Sequence, residues 1–505
     1  MATISDRLVP GANEGSAGSA VQRPGGLPLA ALTALAIGSM IGAGIFNIPS
    51  DMASAAAPGP VLIGWTITGV GMLMLALTFQ TLSTARPEVD GGVYGYARAG
   101  FGDFIGYTSA WGYWISAWVG NVAFFVMAFG TLGNFFPIFR EVEGVGGSFG
   151  PTPASIVGAS VLLWCYHLLI LRGVKEAAIL NTVVTIAKIV PIVLFVVLAV
   201  VAFDLGIFTA DFWGRTVTLD GEPLGSTIDQ VKNMMMVTVW VFIGIEGASI
   251  FSSRAQKRSD VGKATVVGFL AVLALLVLVN LVSYGVMAQA DVAGLSKPSM
   301  AAVLSSVVGP WGTWFISIGL IVSILGALLS WTLLCAEILL KPAQEGVMPR
   351  WLAKENKNGA PVNALWMTSL CIQAMLVWTL VNAGTYNTLI YLASALVLLP
   401  YFWSVTYAVV TALRDGGSGD RHIGLGALVI ALVAVVYAVW LVYAAELQYL
   451  LLACIFYVVG AGLYVWARRE ARLPVFRPYE MAIAAIVVVA AAAGVVGLAT
   501  GAIQI

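Results

Sequence analysis

The segment 29–50 reads LAALTALAIGSMIGAGIFNIPS, an apolar stretch with small residues at its centre. Its length is what one helix needs to cross a bilayer. Gly38, Gly42 and Gly44 weaken the helix near mid-depth. Inside lipid, an unwound stretch frees backbone N–H and C=O groups that must face a cavity or a ligand. The sequence therefore predicts a membrane helix that is interrupted at its centre.

The composition of the whole chain is that of a membrane protein. Of its 505 residues, 60% are hydrophobic and only 10% are charged, whereas soluble domains carry roughly 25% charged residues. The 25 basic residues balance the 25 acidic ones, which argues against a nucleic-acid-binding surface. The four cysteines lack metal-ligand spacing and there are only two histidines. We therefore expect no disulfide framework, no metal and no cofactor.

The hydropathy pattern predicts membrane spans of about 20 residues each. We identify them at 29–50, 60–84, 104–136, 154–171, 179–203, 231–253, 264–289, 312–340, 361–382, 387–412, 423–444, 447–467 and 480–501. The segment 104–136 exceeds one crossing, so we expect it to tilt or to project beyond the lipid. The acidic segment 204–230 has room only for a short surface helix. Residues 1–28, rich in Gly, Ser and Pro, predict a disordered tail and not a signal peptide.

Lysine and arginine are distributed unequally between the two sides of these spans. With a cytoplasmic N-terminus, 20 of them lie on the cytoplasmic side, four lie on the other side, and Lys188 lies inside a span. Such a bias follows the positive-inside rule. We therefore predict a multi-pass protein of the inner (plasma) membrane with its N-terminus in the cytoplasm. Thirteen spans place the C-terminus outside.

A second glycine cluster, GIEGAS at 244–249, interrupts the sixth span, five spans after the first cluster. Paired broken helices at matching positions of two halves are typical of transporters built from inverted repeats. The N-terminus of a half-helix suits a carboxylate, and its C-terminal carbonyls suit an ammonium. An amino acid carries both groups on one carbon. The pattern thus favours an amino acid carrier, although close helix packing alone also explains glycine-rich segments.

Four stretches of the chain carry a family resemblance. They are GSMIGAGIF at 38–46, GGVYGYARAGFG at 91–102, WVFIGIEGAS at 240–249 and SWTLL at 330–334. Together they resemble the amino acid–polyamine–organocation transporters. Within that superfamily, the sequence is most similar to the basic amino acid/polyamine antiporters of the arginine/ornithine type.

The resemblance implies an all-α membrane protein with a leucine-transporter-like fold of 12–13 transmembrane helices. Two inverted repeats of five helices, at 29–203 and 231–413, would form the core. The first and sixth helices would be discontinuous. The loop 204–230 would lie outside the cell, and the helices within 414–505 would be accessory.

The resemblance also implies a substrate site between the broken helices. Its predicted members are Ser39, Met40, Gly42, Ala43, Gly44, Asn121, Trp240, Ile243, Gly244, Trp331 and Ser394. The first helix would hold the substrate carboxylate, and the sixth would offer carbonyls to the α-ammonium. Ala43 stands where the related arginine/agmatine exchanger has a serine, so one hydroxyl contact is missing. Trp331 is a candidate to cover a cationic side chain, since a cation over an indole gains about 0.5–2 kcal/mol.

Four further residues are predicted to act in gating or coupling: Tyr94, Tyr113, Lys188 and Glu246. A carboxylate at the centre of a membrane helix costs about 2.5–3.5 kcal/mol to insert, so Glu246 either attracts a cation, gates the site or is a hydrogen-bonded structural acid. Lys188 either reaches back to the membrane surface or lies between the first and fifth helices. The resemblance favours the second position, in which the ammonium replaces a sodium ion, and implies sodium-independent transport.

These observations predict exchange of basic amino acids by alternating access, with amino acids and the lipid bilayer as partners and no nucleic acid. The same carrier could instead take neutral amino acids or polyamines, or couple to protons. A channel is less favoured because it needs a pore lined by polar rings. An enzyme would need pairs of catalytic residues inside the membrane, and a sensor would need a cytoplasmic signalling domain. The sequence offers neither. A homodimer is left open.

Overall fold

The computed structural model describes residues 28–143, 149–172, 177–219, 222–246, 256–380, 386–414 and 423–503. Within these residues the regular structure is almost entirely α-helical, as predicted. The strands form two short antiparallel hairpins: β1 (Val142–Glu143) pairs with β2 (Phe149–Gly150), and β3 (Thr218–Leu219) pairs with β4 (Glu222–Pro223). Residues 1–27 of the predicted tail lie outside the described part of the chain.

The helices follow one another with short connections. In chain order they are α1 (Leu29–Met40), α2 (Gly44–Ala53), α3 (Pro58–Ala85), α4 (Val93–Phe101), α5 (Asp103–Leu132), α6 (Pro153–Arg172), α7 (Ala177–Val201), α8 (Leu205–Thr209), α9 (Thr227–Phe242), α10 (Arg258–Val286), α11 (Gln289–Ala293), α12 (Ser299–Val308), α13 (Trp311–Gln344), α14 (Val362–Trp378), α15 (Tyr386–Arg414), α16 (Leu425–Ala444), α17 (Leu447–Glu470) and α18 (Pro478–Thr500).

The first predicted span corresponds to the bent pair α1–α2, and each of the other twelve overlaps a helix of the structure. Among the described residues, nine helices are long and apolar enough to cross a membrane, and counting the bent pair α1–α2 as one span gives ten. The remaining three predicted spans correspond to α7, α9 and α14. The apolar described parts of α7 and α14, Ala187–Val201 and Val362–Trp378, are shorter than the others. The predicted sixth span continues beyond α9 into residues 247–253, outside the described part.

Three short helices, α4, α11 and α12, lie where the hydropathy pattern predicts loops. They have nine, five and ten residues, too few to stand out in a search for segments of about 20 apolar residues. The segment 204–230 contains the short helix α8 and the β3–β4 hairpin.

Helix α5 forms the centre of the bundle and packs against α13 and α15. It is the most deeply buried of the nine long helices, whereas α18 is the least buried. Valine side chains such as Val488 and Val489 of α18 are exposed, as expected for a surface that faces lipid acyl chains. Helix α18 therefore lies at the periphery of the bundle.

The two ends of the bundle are marked by different ion pairs. At the first residue of α5, Asp103 pairs with Arg98. About 36 Å further along the helix, at 1.5 Å per residue, Met127 contacts Asn47 of α2. One turn beyond Asn47, α2 carries Asp51, which pairs with Lys297. We call these the Arg98 end and the Lys297 end.

Candidate functional site

The first predicted break is present: α1 ends at Met40, α2 begins at Gly44, and the two helices are bent by 44°. The first turn of α2 has no preceding helical turn to accept its N–H groups. These amides carry the partial positive charge of a helix N-terminus. Ala43 lies inside the break and is fully buried. The polarity of a helix N-terminus favours an anion over a cation.

On the other side of the same break, Lys188 of α7 donates hydrogen bonds to carbonyl groups at the end of α1. Its ammonium donates to the carbonyl oxygens of Gly38 at 2.7 Å and Ile41 at 2.5 Å. The side chain is 1% exposed, so it does not extend to the membrane surface. The hydroxyl of Ser323 donates to the carbonyl of Gly42 at 3.2 Å. The Lys188 amino group thus occupies the carbonyl end of α1.

The second break lies at the end of α9 and contacts the first. After Phe242 the chain turns through Gly244, whose φ is +105°. The hydroxyl of Ser39 donates to the carbonyl of Gly244 at 2.8 Å. A Cβ at Gly244 would lie 2.7 Å from the carbonyl oxygen of Ser39, so glycine is needed both for the dihedral and for the close approach. The later motif residues, 247–249, lie outside the described part.

A cavity lies between the two breaks. It is lined by Ser39, Met40, Gly42, Gly44, Ser116, Ala117, Gly120, Phe124, Trp240, Val241, Ile243 and Trp331. Its volume of about 20 Å³ accommodates about one water molecule. The rings of Phe124 and Trp240 pack with centroids 5.4 Å apart. A ligand of amino acid size therefore requires these aromatic walls to move.

Glu246 lies beside the cavity in a cluster with two tyrosines. The hydroxyl of Tyr401 donates to its Oε2 at 2.8 Å, and the hydroxyl of Tyr113 donates to its Oε1. Glu246 is only 2% exposed. On α5, Tyr113 precedes the cavity-lining Ser116 by about one turn, toward the Arg98 end. The cluster therefore lies on the side of the cavity toward the Arg98 end.

Comparison with known proteins identifies the family. The amino acid permease family matches residues 27–453 of the chain. An arginine/ornithine antiporter of Pseudomonas aeruginosa is 55% identical over 482 residues, which cover 94% of this chain and 98% of that protein. The chain belongs to the amino acid permease family. It is therefore a multi-pass membrane transporter and not an enzyme. Two inverted repeats of five helices are typical of this family.

Other relatives of the permease carry related names. An L-lysine transport protein of Corynebacterium glutamicum is 42% identical over 490 residues, 94% of this chain and 95% of that protein. An arginine/agmatine antiporter of Chlamydia abortus is 38% identical over 443 residues, 88% of this chain and 90% of that protein.

Seven of the eleven predicted substrate-binding residues of the permease line the cavity. They are Ser39, Met40, Gly42, Gly44, Trp240, Ile243 and Trp331. Ala43 and Gly244 belong to the breaks themselves. These nine residues are thus brought together by the two breaks, by the helix ends next to them and by α13.

Asn121 and Ser394 do not line the cavity. The Asn121 amide nitrogen lies 3.4 Å from the hydroxyl of Thr332, and its buried Oδ1 has no hydrogen-bond partner among the described residues. The Ser394 hydroxyl donates to the carbonyl of Met236 in α9 at 3.0 Å. Ser394 therefore connects α15 to α9, one turn before Trp240.

Tyr94 lies far from the cavity, at the Arg98 end. Its hydroxyl donates to Glu345 at 2.7 Å, and Arg98 pairs with both Glu345 and Asp103. Burial and the hydrogen bond to Glu345 hold the pKa of Tyr94 well above its usual range, so the hydroxyl remains a donor. Lys341 approaches the same carboxylate at 3.3 Å. This network joins α4 to the end of α13.

Sequence reasoning missed five lining residues: Ser116, Ala117, Gly120, Phe124 and Val241. Four of them lie on α5, where small and aromatic residues alternate through a uniformly apolar helix. A Cβ at Gly120 would lie 3.1 Å from the Trp240 ring. The only available signal was the spacing of 116, 117, 120 and 124, which places them on one helical face.

Proposed function

We propose that the permease exchanges basic amino acids, such as arginine and ornithine, across the plasma membrane by alternating access. The observation that carries this proposal is the contact between two helix breaks around one cavity, with N–H groups from α2 and carbonyls from α9. The names of the relatives from P. aeruginosa and C. glutamicum support the basic class of substrate.

The two breaks suit the two charges of an amino acid backbone. The amides at Gly42 in the break and at Gly44, the first residue of α2, would receive the α-carboxylate. The last carbonyls of α9, near Ile243, would accept from the α-ammonium. The side chain would then extend along Trp240 and Trp331, whose ring faces attract cations. Glu246, held by Tyr113 and Tyr401, lies on the side of this site toward the Arg98 end.

Lys188 supports transport without sodium. Its ammonium occupies the carbonyl oxygens of Gly38 and Ile41, the type of ligand that a sodium ion would need. The distribution of lysine and arginine supports a cytoplasmic N-terminus. The Arg98 end then faces the cytoplasm and the Lys297 end faces outward.

Counterflow in proteoliposomes tests the proposed function. Vesicles loaded with ornithine should accumulate labelled arginine, and empty vesicles should not. Uptake should be unchanged when sodium is replaced by choline. Accumulation into empty vesicles under a proton gradient would favour proton symport. Competition by neutral amino acids or polyamines, but not by arginine, would overturn the basic substrate class.

A further inference from the structure

A second cation site lies at the Lys297 end, outside the central cavity. The ammonium of Lys297 is 3.0 Å from Oδ1 of Asp51 and donates to Oδ1 of Asn387. It also lies 4.5 Å from the centre of the Tyr386 ring. The Asp51 side chain is 2% exposed, whereas that of Lys297 is 26% exposed. The negative group is thus built into the core, and the lysine reaches it from the surface.

These contacts constitute a receptor for a primary ammonium. A buried carboxylate, an amide oxygen and an aromatic face are the groups that bind such a cation. Asp51 belongs to α2, and Tyr386 and Asn387 begin α15. Lys297 comes from the separate connection between α11 and α12. The receptor groups are therefore held by two helices, neither of which includes the lysine.

The receptor is linked directly to the central cavity. The indole N–H of Trp240 donates to the hydroxyl of Tyr386 at 3.1 Å, and Trp240 lines the cavity. Asp51 follows Gly44 on α2 by about 10 Å at 1.5 Å per residue. A basic amino acid with its side chain on Asp51 would thus be one side-chain length from the break.

We propose that Asp51, Tyr386 and Asn387 form an entry subsite for the cationic side chain of the substrate, occupied by Lys297 until the substrate displaces it. This inference rests on the proposed function. The ammonium of lysine or ornithine is chemically the same group as that of Lys297. The guanidinium of arginine can bind the same carboxylate and ring face. Competition for one site then couples the arrival of substrate to release of the Lys297 connection.

The test depends on two substitutions with opposite expected effects. Lys297→Gln removes the competitor and leaves the receptor, so the half-saturating external ornithine concentration in counterflow should fall about threefold or more. Asp51→Asn removes the receptor charge, so that concentration should rise about tenfold, because hydrogen bonds to charged groups are the strong ones. Lys232→Gln is the matched control: Lys232 also lies over an aromatic ring, that of Tyr443 at 5.2 Å, and this change should have no effect.

A simple ion-pair lock predicts a different result. If Asp51 and Lys297 only hold the outer end closed, both single substitutions break the same contact and shift the concentration in the same direction, which would overturn the proposal. If a single variant fails to fold, the double variant Asp51→Asn with Lys297→Gln distinguishes the two models. This double variant has no unpaired charge at the site. The subsite predicts weak ornithine binding in the double variant, and wild-type binding would contradict it. Absence of ornithine exchange in the unmodified permease would instead reject the proposed function itself.

Discussion

Lys188 is a buried lysine whose hydrogen bonds hold the carbonyl end of α1. Replacing it with alanine removes the donor to Gly38 and Ile41. Hydrogen bonds to charged groups contribute about 1.5–3 kcal/mol, so we expect the Lys188→Ala variant to exchange arginine at least about tenfold more slowly. Counterflow with purified protein measures this rate.

The control for this change is Lys263→Ala, since Lys263 is an exposed lysine of α10. It should exchange at the unmodified rate. An unchanged rate in Lys188→Ala, with equal protein in the vesicles, would remove the role assigned to this side chain.

Gly44 illustrates how little space the cavity offers. A Cβ at this position would lie 2.9 Å from Cγ1 of Val241 and 3.0 Å from Nε1 of Trp240. Because overpacking costs about 1–3 kcal/mol, we expect Gly44→Ala to weaken arginine binding about tenfold or more. Equilibrium binding of labelled arginine measures the loss. Gly462→Ala on α17, where a Cβ would meet no atom of the described residues within 4 Å, should bind normally; equal affinities for the two variants would contradict this assignment.

For single residues, the sequence predicted those of the two breaks but not those of α5 that line the opposite side of the cavity. Glycines inside apolar segments are visible because they weaken a helix, and an acid is visible because its charge is costly to insert in lipid. Phe124 and Gly120 are ordinary members of an apolar helix, and only packing against Trp240 gives them a position in the cavity. Asp51 and Lys297 were missed for a similar reason, since their pairing joins parts of the chain that are distant in sequence.

Among the elements, the contact between the ends of α1 and α9 depends on Gly244. Gly244→Ala would force a side chain into a φ of +105° and place its Cβ 2.7 Å from the Ser39 carbonyl oxygen. Strained backbone costs of order 1–3 kcal/mol, and the clash adds to it. We therefore expect a lower melting temperature in detergent together with lost exchange.

Gly309→Ala separates these two effects. Gly309 also has a positive φ, +84°, but a Cβ at this position would have open space around it, with no atom of the described part of the chain within 4 Å. The Gly309→Ala variant should lose only the stability that the strained φ costs, and it should retain exchange. If both variants lose the same stability and both retain exchange, the contact between the two breaks is not important for transport.

The interruption after α1 could be predicted because glycine residues weaken a helix wherever they occur in it. The end of α9 was equally visible in the sequence. Helix α4 was not, because Gly91 and Gly92 before it and Gly102 after it are typical of a loop, and its nine residues are too few to register as a span. Its position follows from tertiary contacts, such as those of Tyr94 and Arg98 with Glu345.

On the scale of the whole molecule, charge placement predicts the orientation in the membrane. The Arg98 end contains Arg98, Lys341 and Arg468 in one network with acidic partners. We expect a reporter on the N-terminus to be cytoplasmic, and one after residue 503 to be outside the cell, as thirteen spans require. Fusions to alkaline phosphatase and to a fluorescent protein measure the two sides. Two termini on the same side would show that one predicted span does not cross.

The central claim is that two touching helix breaks hold both charges of an amino acid. A structure of the permease with bound arginine tests this most directly. We predict the α-carboxylate within hydrogen-bonding distance of the amides at Gly42 and Gly44, the α-ammonium at the carbonyls near Ile243, and the Trp240 and Trp331 rings displaced to admit the side chain. Arginine bound elsewhere, with the cavity between α1 and α9 still closed, would contradict the account.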